Sequence, residues 1–182
     1  MTVIITPRLI LREWRDADDD AFAAMFEDPA VMEFLPPATR ADIDAFIQRI
    51  KGHFAEHGFG WWAVEVPGVA PFIGYVGLSV PRFEAHFMPA VEIGWRLASA
   101  HWGKGYATEG ARAALQAGFT TVGLKEIVSF TVPANVRSRR VMERIDMTHD
   151  PAEDFDHPRL PEGHPLRRHV LYRLSRARWE ET

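Results

Sequence analysis

Apolar positions along the chain alternate between two spacings. Leu9 to Glu13 has the makings of a strand. The spacing then turns helical. Ala21, Phe22, Met25 and Phe26 share a face, Asp16 stands where an N-cap belongs, and Asp18, Asp19 and Asp20 fall in the first turn, where the helix dipole favours negative charge. Pro29 and Pro36-Pro37 break the chain. Thr39 with Asp42 has the form of a capping box, with Asp in place of Glu or Gln. Behind it Ile43, Phe46, Ile47, Ile50 and Phe54 recur at helical spacing.

Three strands are predicted next, over Phe59 to Val66, Phe72 to Val80 and Val91 to Leu97. In the third, Val91, Ile93, Trp95 and Leu97 alternate with Glu92, Gly94 and Arg96. Gly103-Lys104-Gly105 then leads into a helix whose apolar face is Ala107, Ala111, Ala114, Leu115, Gly118, Phe119 and Val122. Glu126 to Val132 reads as a strand, Asn135 as the cap of a short helix to about Arg144, and Met147 to Asp150 and Arg168 to Leu174 as two last strands around a loop rich in Pro, His and Asp. The order β-α-α-β-β-β-α-β-α-β-β predicts an antiparallel meander followed by a β-α-β crossover. That is a mixed α/β (α+β) fold with a mostly antiparallel sheet and helices on both faces.

Composition narrows the chemistry. The 182 residues suit one domain, 1–182, with 47% hydrophobic and 25% charged residues. A net charge of −4 gives no basic field for nucleic acid and is compatible with a cationic substrate. The absence of cysteine excludes disulfides, a thiolate nucleophile and Cys-based zinc sites, and fits a cytoplasmic location. Met1 to Arg8 carries no signal pattern and no apolar run is long enough to span a membrane. His149, His157, His164 and His169, with Asp154 and Asp156, match no metal-ligand spacing, so no metal is expected and a solvated loop is the reading.

The segment from Val91 to Ala111 carries the functional signal. A strand, a glycine-rich turn and a helix follow one another, so the unpaired N–H groups of a helix start lie behind residues that let a ligand approach. A pyrophosphate can satisfy several such donors at once. Lys104 can add a point charge. The turn lacks the Gly-Lys-Ser/Thr ending of a P-loop and the third glycine of a dinucleotide fingerprint.

With these residues in place the chain resembles the GNAT superfamily of acyl-CoA N-acyltransferases, and within it the branch that acetylates the N-termini of ribosomal proteins. The superfamily signature Gln/Arg-x-x-Gly-x-Gly/Ala is matched at Gly105 and Ala107, with Trp102 in the first position. Thr6-Pro7-Arg8-Leu9-Ile10-Leu11-Arg12 and Trp102-Gly103-Lys104-Gly105-Tyr106-Ala107-Thr108-Glu109 are similar to the branch, as is Asn135-Val136-Arg137-Ser138 to a second signature. Asp146-Met147 departs from the family's Gly-Phe. The resemblance runs from about Thr6 to Leu174.

The resemblance implies the GNAT fold and acetyl-CoA as acyl donor. It implies Trp102, Gly103, Lys104, Gly105, Tyr106, Ala107 and Thr108 around the CoA pyrophosphate, with Asn135 at the pantetheine arm. Glu92 becomes the candidate base and Ser138 a donor to the departing thiolate. Each also has a plain alternative: Glu92 paired with Arg96 on an exposed face, Asn135 as an N-cap alone, Ser138 as a first-turn serine. Relatives place a tyrosine where this chain has Met142. Trp61 and Trp62 read as core and sheet aromatics, though one can line an acceptor site. Phe34-Leu35-Pro36-Pro37 and the loop 154–165 are candidates for its border. The acceptor is an amine, either a protein N-terminus or a small molecule. A homodimer and a non-catalytic acyl-CoA sensor stay open.

Overall fold

The helix after Thr39 forms because both halves of its capping box close. The Thr39 Oγ1 accepts from the Asp42 N–H at 3.2 Å, and the Thr39 N–H donates to the Asp42 carboxylate at 2.9 Å. Gly58, at φ 74°, ends that helix in the left-handed region. The computed structural model describes residues 3–181, so Met1 and Thr2 of the opening stretch, and Thr182, lie outside the described residues.

In chain order the elements are β1 (Ile4–Ile5), β2 (Ile10–Arg12), α1 (Ala17–Ala24), α2 (Pro29–Met32), α3 (Arg40–His57), β3 (Trp61–Glu65), β4 (Gly74–Ser79) and β5 (Glu92–Leu97). They continue with α4 (Tyr106–Ala117), β6 (Glu126–Thr131), α5 (Val136–Arg144), β7 (Thr148–His149), β8 (Phe155–Asp156), β9 (Arg168–Ser175) and α6 (Arg176–Glu180). The sheet order is β1-β2-β3-β4-β5-β6-β9-β7, with β8 on β9. Every pairing is antiparallel except β5–β6, the crossover that α4 spans. The mixed, mostly antiparallel sheet expected from the sequence is thus present. Tyr75 packs on Phe22 of α1 and Phe46 of α3, while its neighbour Val76 packs on Gly110 of α4. Successive strand residues point to opposite faces, so helices cover both.

Several details differ from expectation. Pro29 opens a helical turn rather than only breaking the chain, because proline suits the first helical position and the Asp28 carboxylate accepts from the Ala30 N–H at 2.9 Å. The strands β1 and β8 are two residues long and carry no period to read, and α6 follows a Ser175 cap that sequence reading passed over. Asp146 has φ 64°, the left-handed region that suits the glycine the resemblance implies at that position, and Met147 is buried in the core. Among the described residues no helix is long and apolar enough to cross a membrane.

The acidic start of α1 does more than favour the helix dipole. Asp18 is buried and forms a two-pronged pair with buried Arg12, at 2.7 and 2.9 Å. The same guanidinium also donates to Glu65 at 3.0 Å and to the Pro71 carbonyl at 2.6 Å. This cluster pins β2 to α1 and to β3. Removing one partner would strand a charge inside the protein. Asp18→Asn is therefore expected to lower stability by about 2–4 kcal/mol in urea unfolding, whereas Asp20→Asn on the exposed face should change it by less than about 0.5 kcal/mol.

Candidate active site

β5 and β6 start together and then part. Their one register pair is Glu92 with Val128, and the Val128 N–H donates to the Val91 carbonyl at 2.9 Å. The Ser129 hydroxyl donates to the Ile93 carbonyl at 2.8 Å. Odd-numbered backbone groups of β5 therefore face β6, and beyond Ile93 no strand among the described residues pairs with them. The Trp95 N–H points into the gap. A cleft of about 800 Å³ opens there, between the parted strands and under α2 and α5.

One end of the cleft is the start of α4. Gly103 and Gly105 adopt φ 73° and 81°, the left-handed region in which a side chain is strained. The Trp102 indole N–H holds the turn by donating to the Leu97 carbonyl at 2.7 Å. Among the described residues no acceptor meets the amide N–H groups of Gly103, Lys104, Gly105, Tyr106, Ala107 or Thr108; the first amide to be satisfied is that of Glu109, on the Gly105 carbonyl at 3.0 Å.

A clamp from the start of the chain keeps this turn open. The Glu109 carboxylate accepts from the Thr6 hydroxyl at 2.7 Å and from the Arg8 backbone at 2.9 Å, and pairs with the Arg8 guanidinium at 2.6 Å. Arg8 also donates to the Lys104 carbonyl at 2.8 Å and lies over the Tyr106 ring at 5.0 Å. Two separate stretches of the sequence, Thr6 to Arg8 and Thr108-Glu109, are thus one device. The network holds the Glu109 carboxyl below its ordinary range although burial opposes it.

Glu92, Trp102, Gly103, Gly105, Tyr106, Ala107, Thr108, Asn135 and Ser138 all line the cleft. Lys104 does not; its carbonyl is turned towards Arg8. Asn135 is the N-cap of α5, accepting from the Ser138 N–H at 3.2 Å and donating to the Thr131 hydroxyl at 3.0 Å. No partner among the described residues meets the Ser138 hydroxyl. Met142 is buried in the core beside it.

The alternative in which Glu92 pairs with Arg96 does not hold. Glu92 has no ion pair among the described residues, and burial pushes its carboxyl up to about 8. Arg96 instead stands over the rings of Phe26, Phe46, Tyr75 and Phe22, at 5.2, 5.7, 5.7 and 5.9 Å. Beside Glu92, the indole N–H of Trp61 is buried with no hydrogen-bond partner among the described residues. A side chain at Gly94 would meet this nitrogen at 3.3 Å and the Glu92 carboxylate at 3.6 Å, so glycine leaves the corner between them free. Of the two tryptophans, Trp61 lines the cleft and Trp62 is buried.

The remaining walls come from loops. Phe34 and Leu35 line the cleft, whereas Pro36 and Pro37 do not. His157 and Arg159 bring in the Pro- and His-rich loop. His157 lies tilted 5.1 Å from the His169 ring and is pushed down to about 4 by burial, while His149 stacks on Tyr172 and pairs with Asp154 at 2.7 Å. His53 fixes the rim. Its Nδ1–H donates to the Phe59 carbonyl at 2.8 Å and its Nε2 accepts from the Val80 N–H at 3.0 Å, an arrangement that requires a neutral ring.

Leaving Glu92 unpaired has a stability cost with a defined pH dependence. Its ordinary value is 4.5 and its folded value about 8, so folding takes up a proton between these limits. The ligand-free protein should lose stability as pH rises from 4.5 to 8 on this account. Glu92→Gln should remove that slope and raise stability at pH ~7.5 by about 1–2 kcal/mol, after allowance for cleft water, in denaturant melts across pH.

Residues 8–148 match the family described as an acetyltransferase (GNAT) domain. The uncharacterized N-acetyltransferase YnaD of Bacillus subtilis (strain 168) is 31% identical over 178 residues, 97% of this chain and 98% of that protein. The FsC-acetyl coenzyme A-N(2)-transacetylase of Aspergillus fumigatus is 33% identical over 130 residues, 67% of this chain and 52% of that one. A solved GNAT-family acetyltransferase from Bacillus anthracis has a TM-score of 0.78 at 27% identity, covering 97% of this chain and 99% of its own. The chain therefore belongs to the GNAT acetyltransferases, enzymes that take their acetyl group from acetyl-CoA.

Proposed function

We propose that the chain, as one domain over residues 1–182, binds acetyl-CoA across the gap between β5 and β6 and passes the acetyl group directly to a primary amine. The observation that carries this reading is the run of six unaccepted amides from Gly103 to Thr108 at the mouth of that gap. They suit the CoA diphosphate, whose oxygens supply acceptors for several donors at once. The Trp102 ring lies beneath Arg137 at 4.7 Å, a guanidinium at the same end that is shared with Glu33. Asn135, at the neck between β6 and α5, is placed for the pantetheine arm.

The thioester carbonyl would then lie against β5, where the Trp95 N–H points into the gap and can polarise it. Glu92 takes the proton of the attacking amine. The amine nitrogen bonds to the acetyl carbon, the carbon–sulfur bond breaks, and the sulfur leaves as thiolate. The Ser138 hydroxyl is the candidate donor to that sulfur, because Met142 has no proton to give. No covalent enzyme intermediate is required. The acceptor is a protein N-terminus or a small amine.

A base must be ionised to act, and Glu92 is held up near 8. kcat/KM should therefore climb with pH below about 8 and level off above it, measured as thiol release at fixed ionic strength. Glu92→Gln should reduce kcat by about 10²–10³-fold and leave CoA affinity within about two-fold. CoA binding without thiol release from acetyl-CoA, across N-terminal tripeptides and a panel of amines, would instead mark a non-catalytic module. Arg8→Ala should weaken CoA binding about ten-fold by calorimetry, because the open turn is no longer held in place.

A further inference from the structure

The charge of the cleft is opposite to that of the chain. The protein carries −4 overall, yet seven arginines and one carboxylate, Glu92, line this cleft, and only Arg137, on Glu33, and Arg82, on Glu56, are in ion pairs among the described residues. Arg137, Arg140 and Arg144 lie along α5, on the side where the diphosphate is proposed to bind. Two others, Arg49 and Arg96, sit elsewhere, on the aromatic wall built by α1, α3 and β4. A negatively charged donor at the α4 end gives them no partner.

Arg96 is the clearest case. It shares the cleft face of β5 with Glu92 and Gly94. It is half-buried, and among the described residues no carboxylate or hydrogen-bond acceptor meets its guanidinium. Four aromatic rings hold it by their faces, which fixes the charge but consumes none of its five N–H donors. The Phe46 ring also lies beneath Arg49, at 5.4 Å. Two cations thus share one ring, and among the described residues no carboxylate forms an ion pair with either, although Asp42 feels the charge of Arg49. Arg49 is exposed and Arg96 half-buried, so it is Arg96 whose charge is partly withdrawn from water and gains most from an anion. A planar guanidinium with free donors suits a two-pronged oxyanion.

We infer that Arg96, with Arg49, is an anion subsite for the acceptor, so that the amine acetylated here also carries a carboxylate or a phosphate group. The inference rests on the acetyl-transfer reading given above. It replaces the compatibility with cationic substrates drawn from net charge: a polyamine would place its second cation on this wall. It also restricts shape. Glu92 and Arg96 are four residues apart on an extended strand, about 13 Å between Cα atoms. An amine at Glu92 and an anion at Arg96 belong to one molecule only when several bonds separate them.

The test is thiol release with ω-amino carboxylates of increasing length, alkylamines of matching length, phosphoethanolamine, 6-aminohexyl phosphate and spermidine. Longer ω-amino carboxylates should show KM values about ten-fold or more below those of the matching alkylamines. A preference for 6-aminohexyl phosphate over the short phosphoethanolamine and over the matching carboxylate would identify phosphate as the anion. Arg96→Gln should raise KM for the anionic acceptors about ten-fold, change kcat and CoA affinity little, and leave alkylamines unaffected; Arg96→Lys should recover part of the loss. Equal KM values for charged and neutral acceptors, a preference for spermidine, or an Arg96→Gln defect confined to CoA binding would each overturn the subsite. Calorimetric titration of 6-aminohexanoate and 6-aminohexyl phosphate into the enzyme–CoA complex is read separately. Binding that Arg96→Gln weakens, with no thiol release from any amine, would support the anion subsite and reject acetyl transfer.

Discussion

Six backbone amides that no acceptor meets among the described residues, held at the start of α4, are the constraint on which the rest of this molecule depends. A helix start always leaves donors over, and in most proteins a side-chain cap or water takes them. Here the N-cap position is Gly105, which has no side chain to offer, and two left-handed glycines fold the preceding chain away from the donors. That arrangement is poor for the turn in isolation. It persists because Arg8, Thr6 and Glu109 fix it from outside, through a network that joins the stretch before β2 to the first turn of α4.

The second constraint is the separation of β5 from β6. Parallel strands joined through a helix normally stay paired along their length. Here one register pair survives, and the Ser129 hydroxyl replaces backbone donors on the Ile93 carbonyl. The strand that opens the cleft also carries three residues of very different environment on one face. Glu92 is kept without a counter-charge and its carboxyl rises; Gly94 leaves space against Trp61; Arg96 is laid on aromatic rings. Had Arg96 paired with Glu92, both would be neutralised, and the face would have lost its base and its free cation together. The aromatic wall keeps them apart.

Much of this was legible in the chain. Period-two alternation located β5, apolar spacing located α3 and α4, and Thr39 with Asp42 located the start of α3. The turn from Trp102 to Thr108 could be read as a ligand site because glycine before a helix start has a physical consequence. Other features were not legible. Trp61 and Trp62 are adjacent and chemically alike, and only strand register decides which faces the cleft. Asp18 looked like one acid among several, and its pairing with Arg12 depends on how β2 meets α1. The contact between Glu109 and Arg8 joins residues 101 positions apart. The wall under Arg96 draws on α1, α3 and β4, so no local pattern could have revealed it. Asp146 in place of glycine, by contrast, was visible as an oddity and explained only by its positive φ.

The central claim is that the open amides of this turn receive the CoA diphosphate. A crystal structure of the protein soaked with CoA tests it most directly. The account requires diphosphate oxygens within hydrogen-bond distance of the amide nitrogens between Gly103 and Thr108, with the Arg8–Glu109 clamp intact. Density for the diphosphate elsewhere, or a turn rearranged so that protein acceptors occupy those amides, would contradict it.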